Sequence, residues 1–270
     1  MPPPSPNVIS IPNVTVGMPY LRRGKPAQLF FVLRDKIQRA AGFDFLSVFG
    51  DMMRPAGFVA TPGSGASTRS RHKCGDAFDY NQGDSHLVVI PEPRNNDMFF
   101  RTFLRCARQD GTQGVLLRLP NPNSPARYYC DFTTIAEAVG WQRIRAQNGW
   151  QQTWNKREFW HYQLTEGYTY DEAMTLLYGN PNTVTPQPDY PTVGYGDRDD
   201  ETVYHSRRDV RQVQAQLFLL RYLLPLSEID GVFGQNTISA IGRFQQDEAL
   251  PVTGTADTQT RRLLLQRVLA

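Results

Sequence analysis

Two short stretches hold the residues able to do chemistry. In Ser70-Arg71-His72-Lys73-Cys74-Gly75-Asp76-Ala77-Phe78-Asp79, an imidazole and a carboxylate stand seven residues apart, a nitrogen and an oxygen ligand of the kind that binds zinc. Gly75 between them permits a sharp reversal, because it lacks the Cβ that blocks left-handed backbone angles. If 77–79 is extended, alternation sends Ala77 and Asp79 to one face and Phe78 to the other. The carboxylate then faces a site and the ring a core. Further along, Glu158-Phe159-Trp160-His161 adds a third ligand, His161, preceded by a carboxylate that need not touch the metal. Three protein ligands with an open fourth position mark a catalytic zinc, whereas structural sites are closed by four. Glu158 is then the natural base for a water at that position. Its pKa must lie near the working pH, so an apolar wall from Phe159 or Trp160 is expected.

The pattern Ser-x-His-x-x-Gly-x-Ala-x-Asp followed by Glu-x-x-His resembles the zinc D-Ala-D-Ala carboxypeptidase and L-alanyl-D-glutamate endopeptidase family, which shares its fold with lysostaphin and the hedgehog domain. Ser70, His72, Gly75, Ala77 and Asp79 meet all five fixed positions of the first motif. Chance would produce such a match in a chain of this length on the order of once in 10⁴. Glu158-x-x-His161 is weak alone; it gains value from standing downstream of the first motif and from the Trp160-His161 pair that the family favours. The resemblance implies Zn2+ held by His72, Asp79 and His161, with Glu158 as general base and then general acid. It also calls for an arginine at the end of the strand before the zinc loop. The matching stretch, Phe58-Val59-Ala60-Thr61, has none, which leaves Arg69 or Arg71 to reach substrate from the loop, with Trp160 beside the ligand. Solvated basic side chains are the equal alternative for the two arginines.

Other candidates have plainer readings. Cys74 could ligate a metal in principle, but the ligand set is full without it and a buried thiol accounts for it. Ser70 is expected to hold the His72 loop by local hydrogen bonding, Asp76 to lie at the surface, and His86 and His205 to be structural.

The composition, 40% hydrophobic and 20% charged over 270 residues, is that of a folded protein of one or two domains. A formal charge of +3 gives no reason to invoke nucleic acid, and no apolar run approaches the ~18 residues a membrane span needs. Three cysteines make no disulfide framework. The start, Met-Pro-Pro-Pro-Ser-Pro, lacks the basic head and apolar segment of a secretory signal. The protein is therefore expected to be made in the cytoplasm and to reach the wall by phage-type release or another export route, as a monomer.

These residues need elements to position them. Residues 1–25 read as an irregular proline-rich arm. Pro26 opens a helix to Ala41, with Leu29, Leu33, Ile37 and Ala40 on one face and Gly42 ending it. A short helix over 45–53, a strand over 57–60 and a strand over 86–90 follow. Asn96 to Asp110 reads as a helix, with Phe99, Phe103 and Cys106 or Ala107 on its apolar side. Val115–Leu119 and Arg127–Phe132 read as a strand pair across a Pro/Asn turn, followed by helices at 134–139 and 171–178. Residues 179–206, with five acidic residues against one arginine and few aliphatics, read as a linker.

The last residues contain an internal echo: Asp230-Gly231-Val232-Phe233-Gly234-Gln235-Asn236-Thr237 aligns with Thr253-Gly254-Thr255-Ala256-Asp257-Thr258-Gln259-Thr260. Each unit sets a glycine turn before a helix start. Helices are expected near 208–220, 235–248 and 258–269, sharing one small core. With Val213-x-x-Gln216-Leu217 and Phe244-Gln245, this half resembles the three-helix peptidoglycan-binding domain of wall hydrolases.

The expected architecture is α+β: a zinc peptidase domain (26–178) with a small antiparallel sheet flanked by helices, a linker (179–206), and an all-α three-helix domain (207–270). The expected activity is peptidoglycan hydrolysis of the endolysin kind, first as an L-alanyl-D-glutamate endopeptidase. A D,D-carboxypeptidase or D,D-endopeptidase is the alternative, and a non-catalytic wall-binding or virion protein is the alternative of another class.

Overall fold

The computed structural model describes residues 4–14, 18–45, 49–59, 69–80, 87–94, 97–118, 125–165, 168–185, 190–199 and 208–270. By its internal contacts the chain forms two units. The first comprises Met1–Thr133, Arg143–Leu164 and Tyr170–Val184; the second comprises Thr134–Gln142, Thr165–Thr169 and Thr185–Ala270.

In the first unit, strands β1 (Val8–Ser10) and β2 (Tyr20–Arg22) pair antiparallel. The expected irregular arm is thus partly ordered, with Val8, Ile11 and Leu21 buried. Few residues are involved, so no periodicity announced them. Helix α1 (Lys25–Ala41) begins with proline in its first turn and ends on left-handed Gly42, the asymmetry that favours proline at the start and glycine past the end. It buries Leu29, Phe30, Leu33 and Ile37.

Two four-stranded sheets follow where the sequence suggested one. Strands β3 (Phe49–Asp51) and β4 (Ala77–Tyr80) lie in one sheet with β9 (Gln142–Arg143) and β10 (His161–Gln163), in the order β3-β4-β10-β9. The other sheet is β5-β6-β8-β7, from β5 (Leu87–Arg94), β6 (Asp97–Arg105), β7 (Val115–Leu117) and β8 (Arg127–Asp131). Helix α2 (Phe132–Ala138) runs from the first unit into the second, and helix α3 (Tyr170–Tyr178) completes the first.

Three readings are corrected here. The expected helix at 96–110 is strand β6, paired residue for residue with β5 from Leu87↔Leu104 to Arg94↔Asp97. Phe99 through Leu104 are all buried, Arg101 and Thr102 included, so both faces of the strand carry core residues, and the apolar side chains that remain, Phe99 and Phe103 among them, fall at a helix-like spacing of four. The expected helix at 45–53 contributes strand β3, and Gly57–Val59 are not a strand. Ala60, the glycine- and serine-rich loop after it, His86, His205 and most of the 120–125 turn lie outside the described residues.

In the second unit, helices α4 (Asp209–Leu219), α5 (Gln235–Asp247) and α6 (Thr258–Leu269) share a core of Val210, Val213, Leu217, Phe233, Ile241, Phe244 and Leu264. The echo in sequence is an echo in structure. Gln214 on α4 donates to Val232 O (3.0 Å) and Thr237 Oγ1 (3.2 Å) while accepting from Gly231 N (2.8 Å). Gln245 on α5 donates to Thr255 O (2.9 Å) and Thr260 Oγ1 (3.2 Å) while accepting from Gly254 N (3.0 Å). Each buried carboxamide satisfies the polar groups of one glycine turn. The stretch expected to be a linker is not wholly one. Val193 bridges to Ala256 and Arg198 to Val232, Val193 joins the core, and Asp199 accepts the Val210 and Arg211 amides (3.0 and 2.9 Å), capping α4. Its acidic, proline-rich composition hid this, because the segment binds through backbone pairing and one cap.

Candidate metal centre

The candidate site forms where β4 meets β10. Antiparallel register sets His161 opposite Asp79 and Tyr162 opposite Phe78. Phe78 and Tyr162 stack at 5.5 Å with an interplanar angle of 8°, and Phe30, Phe45 and Phe132 surround Phe78. The Tyr162 hydroxyl is held by Thr102 and Thr133 Oγ1, each at 2.8 Å. Alternation along β4 therefore buries Phe78 in an aromatic core and turns Asp79 the other way, as its spacing predicts.

His72 arrives on a 3-10 turn, Arg71–Cys74, whose first amides are capped by Ser70: its Oγ accepts from His72 N at 3.4 Å. The turn ends on Gly75, at φ 67°, where a Cβ would lie 2.7 Å from Arg22 N. A left-handed angle and a close backbone approach together leave room for glycine alone. Strand β2 closes on this point, with Arg22 N donating to Gly75 O at 3.0 Å.

His72 Nε2, Asp79 Oδ1 and His161 Nδ1 converge at 3.1, 3.2 and 2.9 Å from one another, and all three residues are buried. The outer nitrogens explain the arrangement. His72 Nδ1 lies against Met52 O, and His161 Nε2 faces Gln163 Oε1 at 3.3 Å. If each outer nitrogen donates its hydrogen to these acceptors, the inner nitrogens present lone pairs. Three acceptors then face one another, which is stable only with a cation or a proton among them. A carbonyl that holds an imidazole's other N–H is the usual second layer of a metal site. The donor set, two nitrogens and one carboxylate oxygen, suits zinc with a fourth position open. Ionisation follows the same logic. Burial would lower the His72 pKa, yet Asp79 raises it overall. Burial would raise that of Asp79, yet His72 and both imidazole hydrogen bonds hold it well below the carboxylate range.

Glu158 stands at the turn into β10, half-buried, its carbonyl accepting His161 N at 3.1 Å. Its φ of 54° is left-handed, an uncommon state for a residue with a long side chain and one that clusters at functional positions. Burial pushes its carboxyl above the ordinary value and the charge of Asp79 adds to that, while His161, a hydrogen bond from Gln147 and Arg54 act against it. Gln147 Nε2 donates to Glu158 Oε1, fixing one oxygen of the carboxylate.

The other sequence candidates have partners of their own. Arg69 is exposed and paired with Asp171 at 2.5 Å, over the Tyr170 ring. Arg71 is buried 3.8 Å from Asp76. Trp160 is buried edge-on to Phe159, centroids 4.7 Å apart. Asp76, expected at the surface, is fully buried and grips Arg22 through both oxygens, at 2.9 and 3.1 Å. Cys74 is a buried thiol whose pKa burial pushes up to about 12, which suits packing rather than ligation.

Sequence reasoning missed Arg54. Its Nη2 is 3.6 Å from Asp79 Oδ2, its Nε 2.7 Å from Asp51 Oδ2, and its amide donates to His72 O at 3.2 Å. Arg54 stands four residues before Phe58-Val59-Ala60-Thr61, the stretch where the resemblance calls for an arginine. The signal was present in Met52-Met53-Arg54 as a lone basic residue after an apolar pair.

Residues 206–264 match the family described as "Putative peptidoglycan binding domain". The match supports binding to peptidoglycan by this part of the chain. Comparison with curated proteins gives no match. Among solved structures, the SleB N-terminal domain is similar at 26% identity, over 29% of this chain and 94% of that one, with a TM-score of 0.25. Among the described residues no helix is long and apolar enough to cross a membrane.

Proposed function

We propose that the protein is a peptidoglycan hydrolase that cuts an amide bond of the wall peptide with His72, Asp79 and His161 holding zinc and Glu158 acting as the base. The observation that carries this reading is the convergence of three ligand atoms within 3.2 Å beside a carboxylate in a strained backbone state. Zinc, when bound, would polarise the scissile carbonyl and make a water more acidic. Glu158 Oε2, the oxygen not engaged by Gln147, takes the proton of the attacking water and delivers it to the leaving nitrogen. Arg54 supplies positive charge beside Asp79 for a substrate carboxylate or a developing oxyanion. Attachment of the peptidoglycan-binding domain to the same chain raises the local concentration of substrate bonds without a new catalytic contact.

L-alanyl-D-glutamate cleavage is the first choice, because the motif resemblance includes that activity and a phage-type lysin fits the two-part layout. Cleavage at D-alanine, as a D,D-carboxypeptidase or D,D-endopeptidase, is the second. A purely wall-binding or virion role has no use for Glu158. The test is mass spectrometry of purified peptidoglycan digested with and without a chelator. Chelator-sensitive new termini are expected, and their identity separates alanine–glutamate from D-alanine bonds. Absence of new termini on several wall types, with the protein still sedimenting with the wall, would leave only binding.

A further inference from the structure

The segment between β9 and Glu158 is unusual in composition. Residues 147–155, Gln-Asn-Gly-Trp-Gln-Gln-Thr-Trp-Asn, contain five carboxamides and two tryptophans, with no charge and no aliphatic side chain. Such a segment has no means of building a core, yet it is closed on itself. Gln147 N donates to Lys156 O at 2.8 Å across the neck, and inside it Trp150 N donates to Gln147 O (3.2 Å), Thr153 N to Gly149 O (3.1 Å) and Lys156 N to Thr153 O (3.1 Å). The neck is anchored on both sides: Ala146 N donates to Met98 O at 2.8 Å, and Trp150 packs edge-on against Phe100 at 5.5 Å. This is a compact loop with close ends, of the kind that often carries function.

Its outer surface is specific in chemistry. Trp154 is 46% exposed, although a ring of that size gains by burial. It is braced rather than loose, with the Phe159 ring at 5.3 Å and the Arg157 guanidinium 4.5 Å from its centroid. Asn148, Gln151, Gln152 and Asn155 of the same loop are exposed as well. A fixed aromatic face takes the apolar C–H face of a sugar ring, and carboxamides offer a donor and an acceptor to its hydroxyl and acetamido groups. The same loop reaches the candidate base, since Gln147 donates to Glu158.

We propose that the 147–156 loop is a glycan subsite, in which Trp154 stacks on an N-acetylated sugar of the wall strand and so sets the attached peptide over Glu158. This deepens the hydrolase reading and rests on it for the peptide's fate, not for sugar binding itself.

Two measurements on the full-length chain test it. In the first, zinc-loaded wild type and Trp154→Ala are compared on one stem peptide, free and joined to its disaccharide. The expected result is a wild-type preference in kcat/KM for the glycosylated form that falls about tenfold in the variant, the scale of one aromatic contact. A ratio that does not change would overturn the proposal. The second needs no catalysis. All four tryptophans lie at 141–160, so intrinsic fluorescence titrated with a soluble β-1,4 tetramer of N-acetylglucosamine reports on this region. Saturable quenching that is lost in Trp154→Ala supports the subsite even if no peptide is cut. Identical titrations for the two proteins, or none for either, sink it whatever the fate of the hydrolase reading.

Discussion

Replacing Asp79 by asparagine is the most informative single change. The amide keeps the shape of the carboxylate opposite His161 but removes the negative charge that both imidazoles face at 3.1 and 2.9 Å. Loss of a mere outer partner of a metal ligand costs about 10–100-fold in affinity, so loss of a charged ligand is expected to cost more than about 100-fold. Zinc at 1,000 times the wild-type Kd stabilises the folded form by about 4.1 kcal/mol. The same zinc concentration is then at most about ten times the variant's Kd and gives no more than about 1.4 kcal/mol. The site lies in a unit of about 170 residues, for which 1 kcal/mol moves Tm by about 2–4 °C. Wild type should therefore gain about 8–16 °C on adding zinc and Asp79→Asn no more than about 3–6 °C. Differential scanning fluorimetry with a chelator baseline reads both, and competition against a fluorescent chelator gives the affinities independently. Equal shifts in the two proteins, or none in wild type, would refute the reading of these residues as a metal site.

Glu158→Gln should keep the zinc-induced shift and lower the rate of wall lysis by about 10²–10⁴, the usual contribution of a positioned base; turbidity loss of a wall suspension measures it, and near-normal lysis would exclude Glu158 as the base. Without zinc, pH should act through the His72–Asp79 pair. Asp79 raises the His72 pKa although burial opposes it, so that share of stability is full below the ordinary imidazole value and fades as pH rises through the folded one. Asp79 is depressed, so its share is full above the ordinary carboxylate value and is lost as pH falls toward the folded one. Zinc binding displaces protons and strengthens as pH rises; melting curves at about pH 5.5 and pH 8, with and without chelator, should show the zinc shift growing while the zinc-free protein weakens. Gln245→Ala strips the hydrogen bond from the buried Thr260 Oγ1 (3.2 Å) along with those of the Thr253 and Gly254 amides (2.9 and 3.0 Å); a buried group left unsatisfied costs about 1–3 kcal/mol, so wall sedimentation should fail at a lower temperature than in wild type.

The candidate site of this chain was legible because it is local. His72, Gly75, Ala77 and Asp79 are set by one turn and one strand, and their spacing alone separates the ligand from the core-facing Phe78. The C-terminal echo was legible for the same reason: a glycine turn and the helix start after it are a few residues long, and the three helices fall within a residue or so of their expected bounds. What the sequence left open depends on partners far away in the chain. Asp76 passed for a surface residue because its partner, Arg22, lies 54 residues earlier. Strand β6 passed for a helix because burial on both faces erases the period of two. Arg54, Met52 O and Gln147 reach the site only through the packing of β3, the register of β4 with β10 and the closed loop before Glu158. Residue types at short spacing thus name the candidate ligands and the candidate base. Tertiary structure alone brings together the groups that orient them, because hydrogen-bond partners are fixed by distance in space and leave no trace in spacing along the chain.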